Sequence, residues 1–141
     1  MPTNQPPTSQ ELEKILRQVP FGKLYNFQLV SHGDGQCVLS VPFSKDLERP
    51  GGMVAGPVYF ACVDAAMWLA IMTKLGTQIQ TVTTELNTTF LSSAKEEDII
   101  GSATVLKLGK TQIFGTAECR TNNGKLLTYH TISYARIAGK K

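Results

Sequence analysis

The sequence predicts an α+β domain in which a six-stranded antiparallel sheet wraps around one long central helix, and three observations carry that prediction. From Pro57 to about Leu75 nearly every residue is apolar or small, as in VYFACVDAAMWLAIM, so a helix formed there has no polar face and must be covered on most sides. Two β-prone runs precede this stretch and four follow it, separated by turn signals such as Gly33-Asp34-Gly35 and Asn122-Asn123-Gly124. The chain has 141 residues, enough for one core and little for a second.

The elements follow in order. Residues 1–20 read as a polar, Pro-rich lead-in and a short helix, and 21–141 as a single domain. Ser9 stands as the cap of the helix, Leu12, Ile15, Leu16 and Val19 recur at helical spacing, and Pro20 stops it. Residues 25–31 and 36–43 form a hairpin. Residues 44–56 are a long loop with three glycines, a candidate functional loop because most connections are shorter. Pro57 opens the central helix and Gly76 closes it. Strands are expected over 80–91, 98–108, 111–120 and 126–137, most of them joined by hairpins.

Composition excludes several functions. Lys plus Arg is 14 and Asp plus Glu is 11, a net charge of +3 with no basic run, so no nucleic-acid partner is expected. Cys37, Cys62 and Cys119 are far apart in sequence and the two histidines lie elsewhere, which suggests neither a metal site nor a disulfide framework. With no secretion signal in MPTNQPPTSQ, the expected location is the cytoplasm. No membrane partner is expected either: the apolar helical part falls short of the ~20 residues of a span, and Asp64 at its middle would be costly in lipid.

Asp64 is the sharpest feature. Its helical neighbours three and four residues away are Phe60, Ala61, Met67 and Trp68, none able to pair with a carboxylate. An ionised group in such a setting is tolerated chiefly where it works, although a structural carboxylate bonded to another strand or subunit is the competing reading. Just before the helix, RPGGMVAGP (Arg49 to Pro57) brings flexible backbone to a helix N-terminus whose free N–H groups favour negative charge. Such a site can polarise a carbonyl as it becomes an oxyanion.

The stretch from Gly52 to Met67, then TTELNTTFLSSA and LKLGKTQIF, resembles the hotdog-fold acyl-CoA thioesterases of the phenylacetate-degradation (PaaI-like) type. The likeness runs from about Tyr25 to Ile137. It implies a hotdog fold and hydrolysis of an acyl-CoA thioester to free acid and coenzyme A, with Asp64 as general base or nucleophile, the Gly56 N–H polarising the thioester carbonyl, and Thr83 assisting from a neighbouring strand. It also implies a homodimer, often paired into a tetramer, with Asp64 opposite Gly56 of the other subunit, and no cofactor beyond the coenzyme A carried by the substrate.

The pattern departs from the family at three positions. Ala55 replaces the His and Pro57 the second Gly of a His-Gly-Gly motif, while Arg49 stands where an Asn or Gln commonly holds water. Arg49 and Ala55 are still expected at the substrate, and Lys107 and Lys110 near the coenzyme A phosphates. The alternative on the same fold is a non-catalytic acyl-CoA-binding or sensing protein. A dehydratase or hydratase falls behind, since neither His32 nor His130 is placed to pair with the acid. His32 is expected at the surface, His130 on a sheet face, and Cys62 in the core.

Overall fold

The computed structural model describes residues 5–137. Six strands form one antiparallel sheet: β1 (Gln28–Gly33), β2 (Gln36–Val41), β5 (Thr81–Phe90), β6 (Ile99–Leu108), β7 (Gln112–Arg120) and β8 (Leu126–Arg136), in the order β1-β2-β6-β7-β8-β5. The helix α3 (Gly56–Leu75) lies in the curl of the sheet, chiefly against β6 and β2. This is the hotdog arrangement.

Period-two alternation sorts the strands. On β7, Ile113, Gly115, Ala117 and Cys119 face the helix, while Phe114, Thr116 and Glu118 face outward. Two glycines let helix and sheet approach closely. A Cβ on Gly101 of β6 would collide with Cys62 Sγ, and one on Gly115 would collide with Met67 Cε and with the Thr104 carbonyl. The hairpin joining β1 to β2 turns on Asp34 and Gly35, at φ 52° and 81°, the left-handed conformations its tight turn requires. Thr73 pins that turn to α3, accepting from the Gly35 N–H at 2.8 Å and donating to the Ala70 carbonyl at 2.6 Å.

Several local expectations change. The first helix, α1 (Ser9–Gln18), is capped by Thr8 rather than Ser9, because Glu11 completes a capping box from that position: Glu11 N–H donates to Thr8 Oγ1 at 3.2 Å and Thr8 N–H to Glu11 Oε1 at 2.8 Å. Pro20 does not merely end a helix. It starts a second one, α2 (Pro20–Leu24), since proline suits a first helical position. The chain then passes through Asn26 at φ 54°, and β1 starts three residues later than the expected strand. The long loop holds a 3-10 turn (Lys45–Leu47) and a ribbon of β3 (Glu48–Arg49) and β4 (Met53–Val54), folded about Gly51 and Gly52.

The central helix begins at Gly56, with Ala55 as its cap and Pro57 in the first turn, and Gly76 closes it at φ 91°. Its 20 residues are long and apolar enough to cross a membrane by length and composition, so the expectation of a shorter segment is corrected. The sheet explains the composition instead: most of the apolar window is buried inside the fold, as a core helix requires.

Candidate active site

Three elements meet at Asp64. Residue 64 lies on the third turn of α3 and is half-buried. Antiparallel pairing sets Thr83 of β5 directly opposite Tyr134 of β8, both on the inner face of the sheet. The two hydroxyls converge on one carboxylate oxygen. Thr83 Oγ1 donates to Asp64 Oδ1 at 2.7 Å, and Tyr134 Oη lies 2.7 Å from the same Oδ1 and 2.8 Å from the Asp64 main-chain carbonyl. The carboxylate that finds no partner on its own helix is thus met from the sheet.

Tyr134 is 3% exposed. Burial, with the Asp64 charge beside it, pushes its hydroxyl far above the ordinary tyrosine value of 10.0, so it remains protonated and acts as a donor. A cavity of about 180 Å³ opens beside the carboxylate, lined by Phe21, Ala61, Asp64, Ala65, Trp68 and Tyr134. Its walls are apolar apart from Asp64 and the Tyr134 hydroxyl, as ligand sites commonly are. Phe21, delivered by α2, tilts against Trp68 with ring centroids 6.1 Å apart.

The other candidates lie apart from this point. Gly56 heads the same helix eight residues earlier, about 12 Å along the axis at the helical rise, so its N–H does not reach its own Asp64. That N–H precedes the i→i−4 ladder, and the Phe90 ring packs over the glycine at 3.6 Å from where a Cβ would stand. Ala55 caps the helix without a side-chain hydrogen bond, and Arg49 is exposed on β3. Lys107 and Lys110 are exposed around the β6–β7 turn, and Lys110 is three residues from Ile113, the register partner of Tyr134.

The histidines and cysteines sit elsewhere. His32 Nε2 bonds with Ser9 Oγ at 2.8 Å near the surface. His130, 0% exposed, bonds through Nδ1 with Thr88 Oγ1 at 2.8 Å and through Nε2 with Thr128 Oγ1 at 2.7 Å. Cys37, Cys62 and Cys119 are free and buried. Burial pushes the Cys37 thiol up to about 12. Cys62 Sγ donates to the Leu39 carbonyl and Cys119 Sγ to the Tyr59 carbonyl, each at 4.0 Å; the neighbouring Cys119 and burial push the Cys62 thiol up, while Cys62, His130 and Thr128 around it pull Cys119 down against its burial. Among the described residues no cluster of His, Cys, Asp and Glu could hold a metal ion.

A helix inside a six-stranded antiparallel sheet, with an acid on that helix facing a cavity, defines the hotdog class. The sequence model of the thioesterase superfamily matches residues 51–128, more than half of the chain and including both Asp64 and Thr83. The chain belongs to the thioesterase superfamily. Zebrafish thioesterase superfamily member 2 superposes with a TM-score of 0.83 at 28% identity, over 92% of this chain and 98% of that one. The E. coli PaaI protein, from the phenylacetic acid degradation operon, gives 0.83 at 17% identity, over 93% and 94%. A Streptococcus pneumoniae protein described as a hypothetical thioesterase, crystallised with coenzyme A, gives 0.78 at 14% identity, over 91% and 98%.

Sequence reasoning missed Tyr134 and Phe21. A faint signal for Tyr134 existed: alternation along LLTYHTISYAR puts it on the same face as Ile132 and His130, where a buried hydroxyl must find a partner. Phe21 carried no such signal, because its place depends on the short helix after Pro20.

Proposed function

We propose that this protein hydrolyses acyl-coenzyme A thioesters to the free acid and coenzyme A. The observation that carries the proposal is a carboxylate on an otherwise apolar helix, gripped by two hydroxyls and turned to an apolar cavity. A structural carboxylate has no need of the cavity. In this reading the acyl group occupies the space between Phe21, Ala61, Ala65 and Trp68, and the thioester carbonyl carbon lies near Asp64.

The carbonyl oxygen needs a donor that Asp64 cannot be, and the Gly56 N–H at a helix N-terminus suits it. In this reading the Gly56 in question belongs to a second copy, which the separation along α3 supports. Support for such a dimer comes from β5, which has a free edge beyond β8 and carries exposed Val82 and Phe90, 47% and 53% accessible, next to exposed Phe60 of α3. Two such dimers making a tetramer remain part of the same reading. Lys107 and Lys110 at the β6–β7 turn would meet the phosphates of coenzyme A, while Arg49 and Ala55 would border the cleft beside Gly56.

As general base, Asp64 takes a proton from water as the oxygen attacks the carbonyl carbon. The C–S bond then breaks, and the departing thiolate recovers that proton from the Asp64 carboxyl. As nucleophile, Asp64 would instead attack the carbonyl carbon and expel the coenzyme A thiolate, giving an acyl anhydride that water hydrolyses to the free acid and the regenerated carboxylate. A thiol-release assay over aliphatic and aryl acyl-CoAs, parent against Asp64→Asn, tests the proposal: release by the parent and its loss in the variant are expected. Ala55, Pro57 and Arg49 offer little to orient water, which favours a second reading as an acyl-CoA binder or sensor. Tight binding without release by the parent would select it.

A further inference from the structure

We propose that Tyr134 is a positioning residue that, with Thr83, reserves Oδ1 of Asp64 for holding the carboxylate and leaves Oδ2 as its working oxygen. The proposal rests on the thioesterase reading above and extends it to a residue and an atom. Every hydrogen bond to the Asp64 side chain falls on Oδ1, from Thr83 at 2.7 Å and from Tyr134 at 2.7 Å. Oδ2 has no protein partner, yet it is not sealed: among the described residues the one buried side-chain oxygen without a partner is Thr81 Oγ1. On a residue that lines the cavity, the unpaired and unsealed carboxylate oxygen is the one left to meet substrate and water.

The Tyr134 hydroxyl has a second acceptor within reach, the Asp64 carbonyl at 2.8 Å. Its single proton can point to Oδ1 while the carboxylate is charged, and swing to the carbonyl once Oδ2 has taken a proton from water. The donor thus follows the charge through a rotation about one C–O bond, and no heavy atom has to move. The ring that carries it is fixed, because β8 is an interior strand flanked by β7 and β5. Catalytic groups need such support to stay within about 0.5 Å of their working geometry.

The test compares steady-state kinetics of the parent, Asp64→Asn, Tyr134→Phe and Thr83→Val on one acyl-CoA. Tyr134→Phe is expected to lower kcat by about 10- to 100-fold while KM stays within about two-fold, because binding groups are untouched while the base is misaligned. Thr83→Val should fall between the parent and Tyr134→Phe. An active parent, an inactive Asp64→Asn and a Tyr134→Phe with unchanged kcat would overturn the positioning role alone. A parent that releases no thiol would overturn the thioesterase reading and this proposal with it. Should Tyr134→Phe not fold, a crystal structure of the parent with acetonyl-coenzyme A, which cannot be cleaved at sulfur, decides. Oδ2 facing the carbonyl carbon of the ligand, directly or through one water, is expected, and Oδ1 in that place would overturn the proposal.

Discussion

Two polar islands lie on the inner face of the same pair of strands and share a plan. In one, Thr83 of β5 stands opposite Tyr134 of β8, and both reach Asp64. In the other, Thr88 of β5 stands opposite His130 of β8, with Thr128 completing the set. Both bury polar atoms among apolar side chains, and both bond them. The difference lies in access and in what is left over. His130 spends both ring nitrogens on hydroxyls and is sealed, whereas Asp64 keeps an oxygen unspent beside a cavity. An inward-facing polar residue on a strand is therefore no sign of chemistry by itself; an unspent atom with space in front of it is.

The comparison breaks most decisively at the two central residues. Asp64→Asn is expected to lower kcat/KM by about 10²–10⁴-fold with little change in the urea midpoint, as removal of a general base does. The same assay on His130→Leu should show kcat within about two-fold of the parent. What His130→Leu loses is stability, about 1–3 kcal/mol, since Thr128 is left with a buried, unanswered hydroxyl and Thr88 with a half-buried one. A His130 variant that folds as firmly as the parent but has lost turnover would reverse the roles assigned to the two islands.

The threonines sharpen it. Thr88→Val should cost about 0.5–1.5 kcal/mol in urea unfolding and leave turnover alone, whereas Thr83→Val should slow turnover with a smaller stability change, because residue 83 is exposed while residue 88 is half-buried.

The smallest effect is the alkaline limb of stability. The folded-state value of Tyr134 lies above the ordinary 10.0, so the stability linked to it is complete below about pH 10 and is lost as pH rises through the folded value. Cys37, raised from 9.0 to about 12, adds loss in that window. Urea midpoints should therefore fall above about pH 9 in the parent, and less steeply above about pH 10 in Tyr134→Phe. Equal slopes in the two proteins would place the alkaline loss elsewhere.

Much of this was legible in the residues because it depends on local periodicity. The uniform greasiness of VYFACVDAAMWLAIM marks an enclosed helix, and Asp64 stands out there for lack of any helical partner. Turn glycines and Asn122-Asn123-Gly124 mark where strands reverse. Non-local pairing was not legible. That β5 closes against β8 rather than β6 sets Thr83 beside Tyr134, and no local pattern encodes that order. Tyr134 reads from sequence as one more core aromatic, and its role appears once the helix brings Asp64 to it. The ribbon inside the long loop escaped notice because its strands have two residues each.

The two sheet glycines under the central helix reach further than the backbone they relax. Cys62, which rests over Gly101, lies two residues before Asp64 on the same rigid rod. A single added methyl at 101 would jack that rod away from the sheet and stretch the grip of two hydroxyls, although β6 contributes no side chain to the cavity wall. The hold on the acid is thus calibrated from beneath, by atoms that are missing from a strand that lends the cavity no side chain.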